Sequence, residues 1–301
     1  MSQTLKNSLL VFIAGVAYGV MVPLVRGAYT AGFTTMDVMA AQYLFAALAL
    51  ALVALLFFRS RITPKALFQL LGLGVVSCGV SFGYYHALDY LPAATAVTLL
   101  FQFVWMGVAL QAIIERRLPS RPTWIAVALI FVGTFLAAGV FEQHDLGLSA
   151  IGLFYGLLSA VFYTAFLFLS GKVATSMPTV NRTLFTTMGS FLISFAFTPL
   201  LFVSDAFPRG LAIYALPLAL AGILAPILLI QKAAPHLPAG ITTIMAASEL
   251  PSGIIMAAVF LQEAITPAIA LGVLIVLAGI VLSQYDELKT LHPRNTTKPL
   301  K

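Results

Sequence analysis

Charge is what this sequence has least of. Asp, Glu, Lys and Arg make up 9% of its 301 residues, against about a quarter in a soluble globular domain. With 61% of the chain hydrophobic, that scarcity excludes an ordinary water-soluble fold. Cysteine is nearly missing as well. Cys78 stands alone, which excludes an intrachain disulfide and leaves the redox compartment open. Enzyme signatures are also lacking: there is no H-E-x-x-H, no G-x-S-x-G and no G-x-x-x-x-G-K-[ST] phosphate loop. "SGKVATS" (170–176) has the Gly-Lys pair without the first glycine of that loop. His86, His144, His236 and His292 fall in connections or near the ends of apolar stretches, so they build no metal site or catalytic dyad. The expectation is a non-enzyme with no cofactor and no means of its own to couple to ATP.

What is there is apolar sequence in long runs. A membrane-spanning helix needs roughly 17 to 25 mainly apolar residues, and ten such stretches follow one another at about 7–25, 37–58, 66–86, 92–114, 122–141, 148–170, 182–203, 211–230, 238–261 and 266–284. The first is expected to be a retained span and not a cleaved leader, since it is long and contains Pro23. Short connections such as "RSRITPK" (59–65), "ERRLPSRP" (115–122) and "EQHD" (142–145) hold most of the charges. With ten spans and a cytoplasmic N-terminus, fourteen of the 16 lysines and arginines fall on the cytoplasmic side, and only Arg26 and Arg209 outside. Lys and Arg bias sets orientation, so both termini are expected in the cytoplasm. The formal charge of +6 then reflects topology, and no nucleic-acid partner is expected. The expected setting is a plasma or bacterial inner membrane, with the chain as a multi-pass monomer or homodimer.

The chain also repeats itself. "HALDYLPAATAV" (86–97) matches "KAAPHLPAGITT" (232–243) on Leu91–Ala93 against Leu237–Ala239. Each match precedes a span that ends in a glutamate with a proline four residues on: Glu115 with Pro119, and Glu263 with Pro267. "GVAYG" (15–19) pairs with "AVFYT" (160–164), which relates Tyr18 to Tyr163. The expected division is 1–145 and 146–290, five spans each, followed by a disordered cytoplasmic tail at 291–301. An odd number of spans per repeat forces the second copy to insert upside down, an arrangement common in secondary transporters whose site lies near the midplane.

On these features, and on the block "ALDYLPAATAVTLLFQFVWMGVALQAIIERRLP" with the ending "LQEAITPAIALGVLIVLAGIVLSQY", the whole chain resembles the EamA-type branch of the drug/metabolite transporter superfamily. The resemblance implies a ten-span carrier that moves small organic solutes, often outward, such as amino acids, other metabolites or toxic compounds. One departure is visible. Many members carry a Leu-Arg-Phe-like element early in span two, where this chain has Ala41-Gln42-Tyr43.

Within the spans, ionisable groups are the first candidates for function, because charge at the bilayer centre is expensive. Glu249, in "IMAASELPSGII" (244–255), is the one acid well inside a span. At 3.6 residues per turn it shares a small and polar face with Thr242, Ala246, Ser252 and Gly253. A low-dielectric site favours the neutral acid, so Glu249 suits a proton-coupling group. A structural hydrogen bond across helices and a direct ligand for a substrate amine are the other two roles open to it. Pro251 removes a backbone N–H and crowds the turn near residue 247, which marks a kink or a gating hinge. In span four the polar face runs through Thr98, Gln102 and Trp105, and a slide of 147 residues sets Gln102 on Glu249. That slide is one residue out from the Leu-Pro-Ala match. Tyr18, Gln42, Tyr43, Tyr84, Tyr85 and Tyr163 add amphipathic groups, with packing as the competing account for each.

The combined expectation is an all-helical carrier working by alternating access. Gln102, Trp105, Glu249, Ser252, Tyr18, Tyr163, Gln42, Tyr43 and Thr98 are the candidate substrate contacts. A multidrug efflux carrier, a channel-like facilitator and a non-transporting receptor or subunit are the alternatives.

Overall fold

A computed structural model describes residues 3–57, 62–139 and 149–291, and its described residues form helices joined by short turns, with no strand. The expectations on Arg59, Arg61, Glu142, His144, Asp145, His292, the division at 145/146 and the tail from 292 lie outside the described residues.

The helices begin where local chemistry tells them to. α4 (Pro64–Leu88) opens on Thr63, whose side chain accepts from the Ala66 N–H, with Pro64 in the first turn. α7 (Arg121–Ala137) opens on Ser120 in the same way, and α8 (Ala150–Ser170) on Ser149. Each such cap satisfies one of the N–H groups that a helix start leaves without a partner. α3 (Thr35–Phe57) and α9 (Thr179–Phe197) are long and unbroken. The expected seventh span, 182–203, starts earlier and stops earlier than its hydropathy suggested. Thr198 precedes Pro199 and leaves the helical region, at φ −132° and ψ 59°, because a residue before proline clashes in the α conformation.

Other spans are interrupted mid-course. The first is split into α1 (Gln3–Gly19) and α2 (Met21–Thr30), and the fourth into α5 (Ala93–Leu100) and α6 (Phe103–Glu115). The eighth runs as α10 (Leu211–Pro217), a wider π-helical stretch at Leu218–Leu224, then α11 (Ala225–Ala233). The ninth is split into α12 (Ala239–Ala246) and α13 (Glu249–Leu261), and α14 (Pro267–Leu291) closes the chain. Among the described residues, helix occupies part of each of the ten expected stretches. By length and apolar composition eight of the helical spans could cross a membrane, α7 being shorter at 17 residues and α9 not among the eight. α9 is rich in polar groups, with Asn181, Arg182 and four threonines.

The breaks in the fourth and ninth spans are copies of each other. Both have a first helix of 8 residues and a second of 13. Both end on a left-handed residue, Arg116 at φ 52° and Gln262 at φ 60°. The shared offset is 146, so Phe103, and not Gln102, is the counterpart of Glu249. The Leu-Pro-Ala register was the right one; the slide that paired Gln102 with Glu249 was one residue out.

The halves interlock. α1 packs against α11, α12 and α13 of the second half, and α8 packs against α4, α5 and α6 of the first. α3 crosses α9, while α7 and α14 pack chiefly on each other at the periphery. In lipid, helices hold together by close packing and polar contacts, and Gly15 and Gly19 of α1 allow both. A Cβ on Gly15 would overlap Ser248 Oγ, and one on Gly19 would overlap Ser252 Oγ. Those two hydroxyls donate to the Phe12 and Val16 carbonyls of α1, at 2.7 and 2.8 Å. α1 is therefore stitched to the break at Ser248 and to the first turn of α13 beyond it.

Candidate functional site

Pro251 sets the site. It lies in the first turn of α13 and has no N–H to give to Ala247, which suits the break at Ala247–Ser248, although the matching break in the fourth span forms with Trp105 in the equivalent place. The break leaves Glu249 at the start of α13, partly buried and facing a cavity of about 640 Å³. Tyr163 Oη donates to Glu249 Oε2 at 3.0 Å. The Tyr163 ring lies edge-on to Tyr18, with centroids 6.3 Å apart, and 4.4 Å from Phe103. The repeat-related tyrosines thus meet beside the acid. Phe103, the counterpart of Glu249, backs the same tyrosine.

The cavity extends from Glu249 to the end of the bundle where α2 and α13 finish. α1 and α2 line it with Tyr18, Val22 and Arg26, and α4 with Ser77, Ser81, Tyr84 and Tyr85. α5 and its turn supply Val97 and Phe101, and α8 supplies Tyr163 and Phe166. Tyr43 reaches it from α3, with its hydroxyl 3.3 Å from Ser81 Oγ. At the mouth, Arg26 forms an ion pair with Glu263, both side chains about half exposed at 59% and 47%. The Glu249 carboxylate, eight hydroxyl-bearing side chains and a mainly apolar remainder of the wall can bind one small amphipathic molecule and orient its polar end.

The candidates from the sequence divide accordingly. Glu249, Tyr18, Tyr43 and Tyr163 lie on the cavity wall, as do Tyr84 and Tyr85. Gln102, Trp105, Thr98, Gln42 and Ser252 do not. Gln102 N–H bonds to Leu99 at the helix break, which frees the Thr98 carbonyl, and the Gln102 side chain fills it at 2.8 Å. Trp105 Nε1 donates to Gln102 Oε1 at 2.8 Å, with the indole 40% exposed on the outer face. Ser252 is spent on the α1 backbone. Gln42 is fully buried on α3.

Two features were missed from sequence. Arg26 read only as an outer-side charge, one of just two cations placed there, and Glu263 as a repeat marker near the outer side. Arg182 read as a positive charge at a span end. It is 1% exposed and its guanidinium donates to three main-chain carbonyls: Val173 at 3.1 Å, Gln231 at 2.7 Å and Ser170 at 2.6 Å. The Gln231 side chain joins Thr183 at 3.2 Å and Thr186 at 2.8 Å. This closed polar cluster sits at the end of the bundle opposite Arg26. Among the described residues, no group of three or more His, Cys, Asp or Glu side chains gathers to hold a metal.

A two-repeat all-helical bundle, broken at matching points around an amphipathic cavity, defines a multi-pass membrane protein of the transporter type. A sequence model of the EamA-like transporter family matches residues 5–139 and again 150–285, and the chain belongs to that family. Among solved structures, one crystal structure superposes with a TM-score of 0.78 at 15% identity, covering 95% of this chain and 98% of its own. At that identity the likeness concerns the fold. No protein with a curated description matches significantly.

Proposed function

We propose that this chain is a secondary carrier that exports a small organic solute by alternating access, with the cavity around Glu249 as its substrate site. One observation supports this above the others. A partly buried carboxylate, held by a single tyrosine, lies where a broken helix of the second repeat faces the first. Ionisable groups at such places mark substrate or ion pathways. Two five-helix repeats at 1–145 and 146–290, inserted upside down relative to each other, give the fold the near-symmetry that alternating access uses. Lys and Arg bias puts both termini and the Arg182 end in the cytoplasm, and Arg26 outside. The cavity then opens outward and the Arg182 end is shut. The chain acts in the plasma or bacterial inner membrane as a monomer or homodimer, and exchange of a proton at Glu249 supplies the drive.

The test is solute flux in proteoliposomes holding the purified chain, with and without an imposed pH gradient. Saturable counterflow is expected, which a channel-like facilitator does not give. If Glu249→Gln moves solute at the wild-type rate with the wild-type pH dependence, the proton role is lost.

A further inference from the structure

We infer that the cavity selects organic amines that carry no carboxylate next to the ammonium group, with Glu249 receiving the charge and the aromatic wall receiving the body. This rests on the carrier reading for its physiological sense, although binding itself does not require transport.

The charges on the wall argue for it. Among the described residues lining the cavity, only Arg26, Glu249 and Glu263 are formally charged acids or bases. Arg26 and Glu263 satisfy each other at the mouth. Glu249 receives one hydrogen bond, from the neutral Tyr163 hydroxyl. A carboxylate has about four lone-pair positions, so most of its accepting capacity faces the cavity unused. A ligand ammonium fills that capacity with charge-assisted bonds.

Geometry rules out help from Arg26. Glu249 opens α13 and Glu263 lies two residues beyond its end at Leu261. At 1.5 Å per residue the two acids are separated by roughly 20 Å along the helix. An α-amino acid carries ammonium and carboxylate on one carbon and cannot reach both. Its carboxylate would instead sit beside Glu249, where like charges repel. Nor does the helix start offer an anion seat. Glu249 itself occupies the first turn of α13, where the helix dipole already favours a negative group.

The rest of the wall suits such a cation. Tyr18, Tyr84, Tyr163, Phe101 and Phe166 line the same space. Aromatic faces attract ammonium groups and pack against apolar bodies. The volume of about 640 Å³ is that of a site for one small molecule.

Phenethylamine and phenylalanine differ by that one carboxylate and are the probes to use. The purified full-length chain is assayed for binding by thermal shift and calorimetry, and for uptake in proteoliposomes. Phenethylamine is expected to bind at least about tenfold more tightly than phenylalanine, the repulsion of one carboxylate by Glu249 amounting to that much. Glu249→Gln should erase the preference. Gly72→Ala, at a helix position outside the cavity where a Cβ meets nothing within 4 Å, should keep it, and a wild-type-like melting temperature for Glu249→Gln controls for misfolding. Phenylalanine binding as well as phenethylamine, or a preference that survives Glu249→Gln, overturns the inference while leaving a carrier. Glu249-dependent phenethylamine binding with no flux of either probe upholds the selectivity and overturns the carrier. Failure of phenethylamine to bind at all overturns the selectivity outright.

Discussion

The two ends of the bundle use the same kind of side chain in opposite ways. At one end Arg26 meets Glu263 with both groups half in water, above a cavity that runs down to Glu249. At the other, about 30 Å away along the 21 residues of α8, Arg182 is sealed from solvent and bonded to three carbonyls where α8 and α11 finish. An exposed pair is worth little and breaks easily. A buried guanidinium must have its donors met, because each unmet group pays the full desolvation penalty. A nearly symmetric scaffold is therefore held open at one end and shut at the other by polar contacts of very different strength. On the proposed alternating-access reading, reversing the two states means hydrating the Arg182 cluster and drying the mouth.

The largest effect is expected at the shut end. Arg182→Ala strips three buried carbonyls of their donors, at about 1–3 kcal/mol for each group left unsatisfied. Several of these lie close together and relax jointly, so a net loss of about 3 kcal/mol is expected. Thermal unfolding in detergent measures it, and Arg182→Lys should recover part of the loss. An unchanged melting temperature for Arg182→Ala would erase the contrast between the ends. Next comes the crossing of α1 and α13. Gly19→Val drives a side chain into Ser252 and should destabilise by about 1–3 kcal/mol. Gly72→Ala, where a Cβ meets nothing within 4 Å, is the control. It should be neutral or stabilising by up to about 1 kcal/mol from helix propensity.

How much of this was legible beforehand differs in the same way between features. The helices were readable because apolar runs and charged connections alternate so sharply. The break at Ala247 was readable because Pro251 announces it. The break at Phe101–Gln102 was not, since no proline stands there, and a wheel drawn through an unbroken span put Gln102 and Trp105 on an inner face. The structure spends both on a local Gln–Trp–carbonyl chain instead. Glu249 stood out because a lone acid in apolar sequence has few plain explanations. Arg182 did not, because a cation at a span end looks like a topology marker until the three carbonyls converge on it from α8, the turn after it and α11. Those partners are 9 to 49 residues away in sequence, and no local pattern encodes them.

A smaller effect is expected at the site itself. Tyr163→Phe removes the hydrogen bond to Glu249 and keeps the ring packed on Tyr18 and Phe103. The loss in stability should be about 1 kcal/mol. The apparent affinity for solute should move with it, because the acid is then free to adopt other rotamers. An affinity and pH profile identical to wild type would mean that Tyr163 only packs.

The smallest change in stability belongs to the mouth. Arg26→Ala and Glu263→Ala each remove a half-exposed pair worth about 0.2–1 kcal/mol, less in high salt. The melting temperature should hardly shift, and raising the ionic strength should shrink even that. Flux is the sharper measure. The pair joins α2 to the turn after α13, the two elements that must part or approach when the mouth changes width. Losing it should therefore alter the turnover rate more than the stability. The exchanged variant, Arg26→Glu with Glu263→Arg, restores an attractive pair and should restore the rate. Single reversals place like charges face to face and should not. A rate that follows the melting temperature across all these variants would mean that the pair is ordinary surface charge, and that the mouth and the Arg182 end do not differ in what they control.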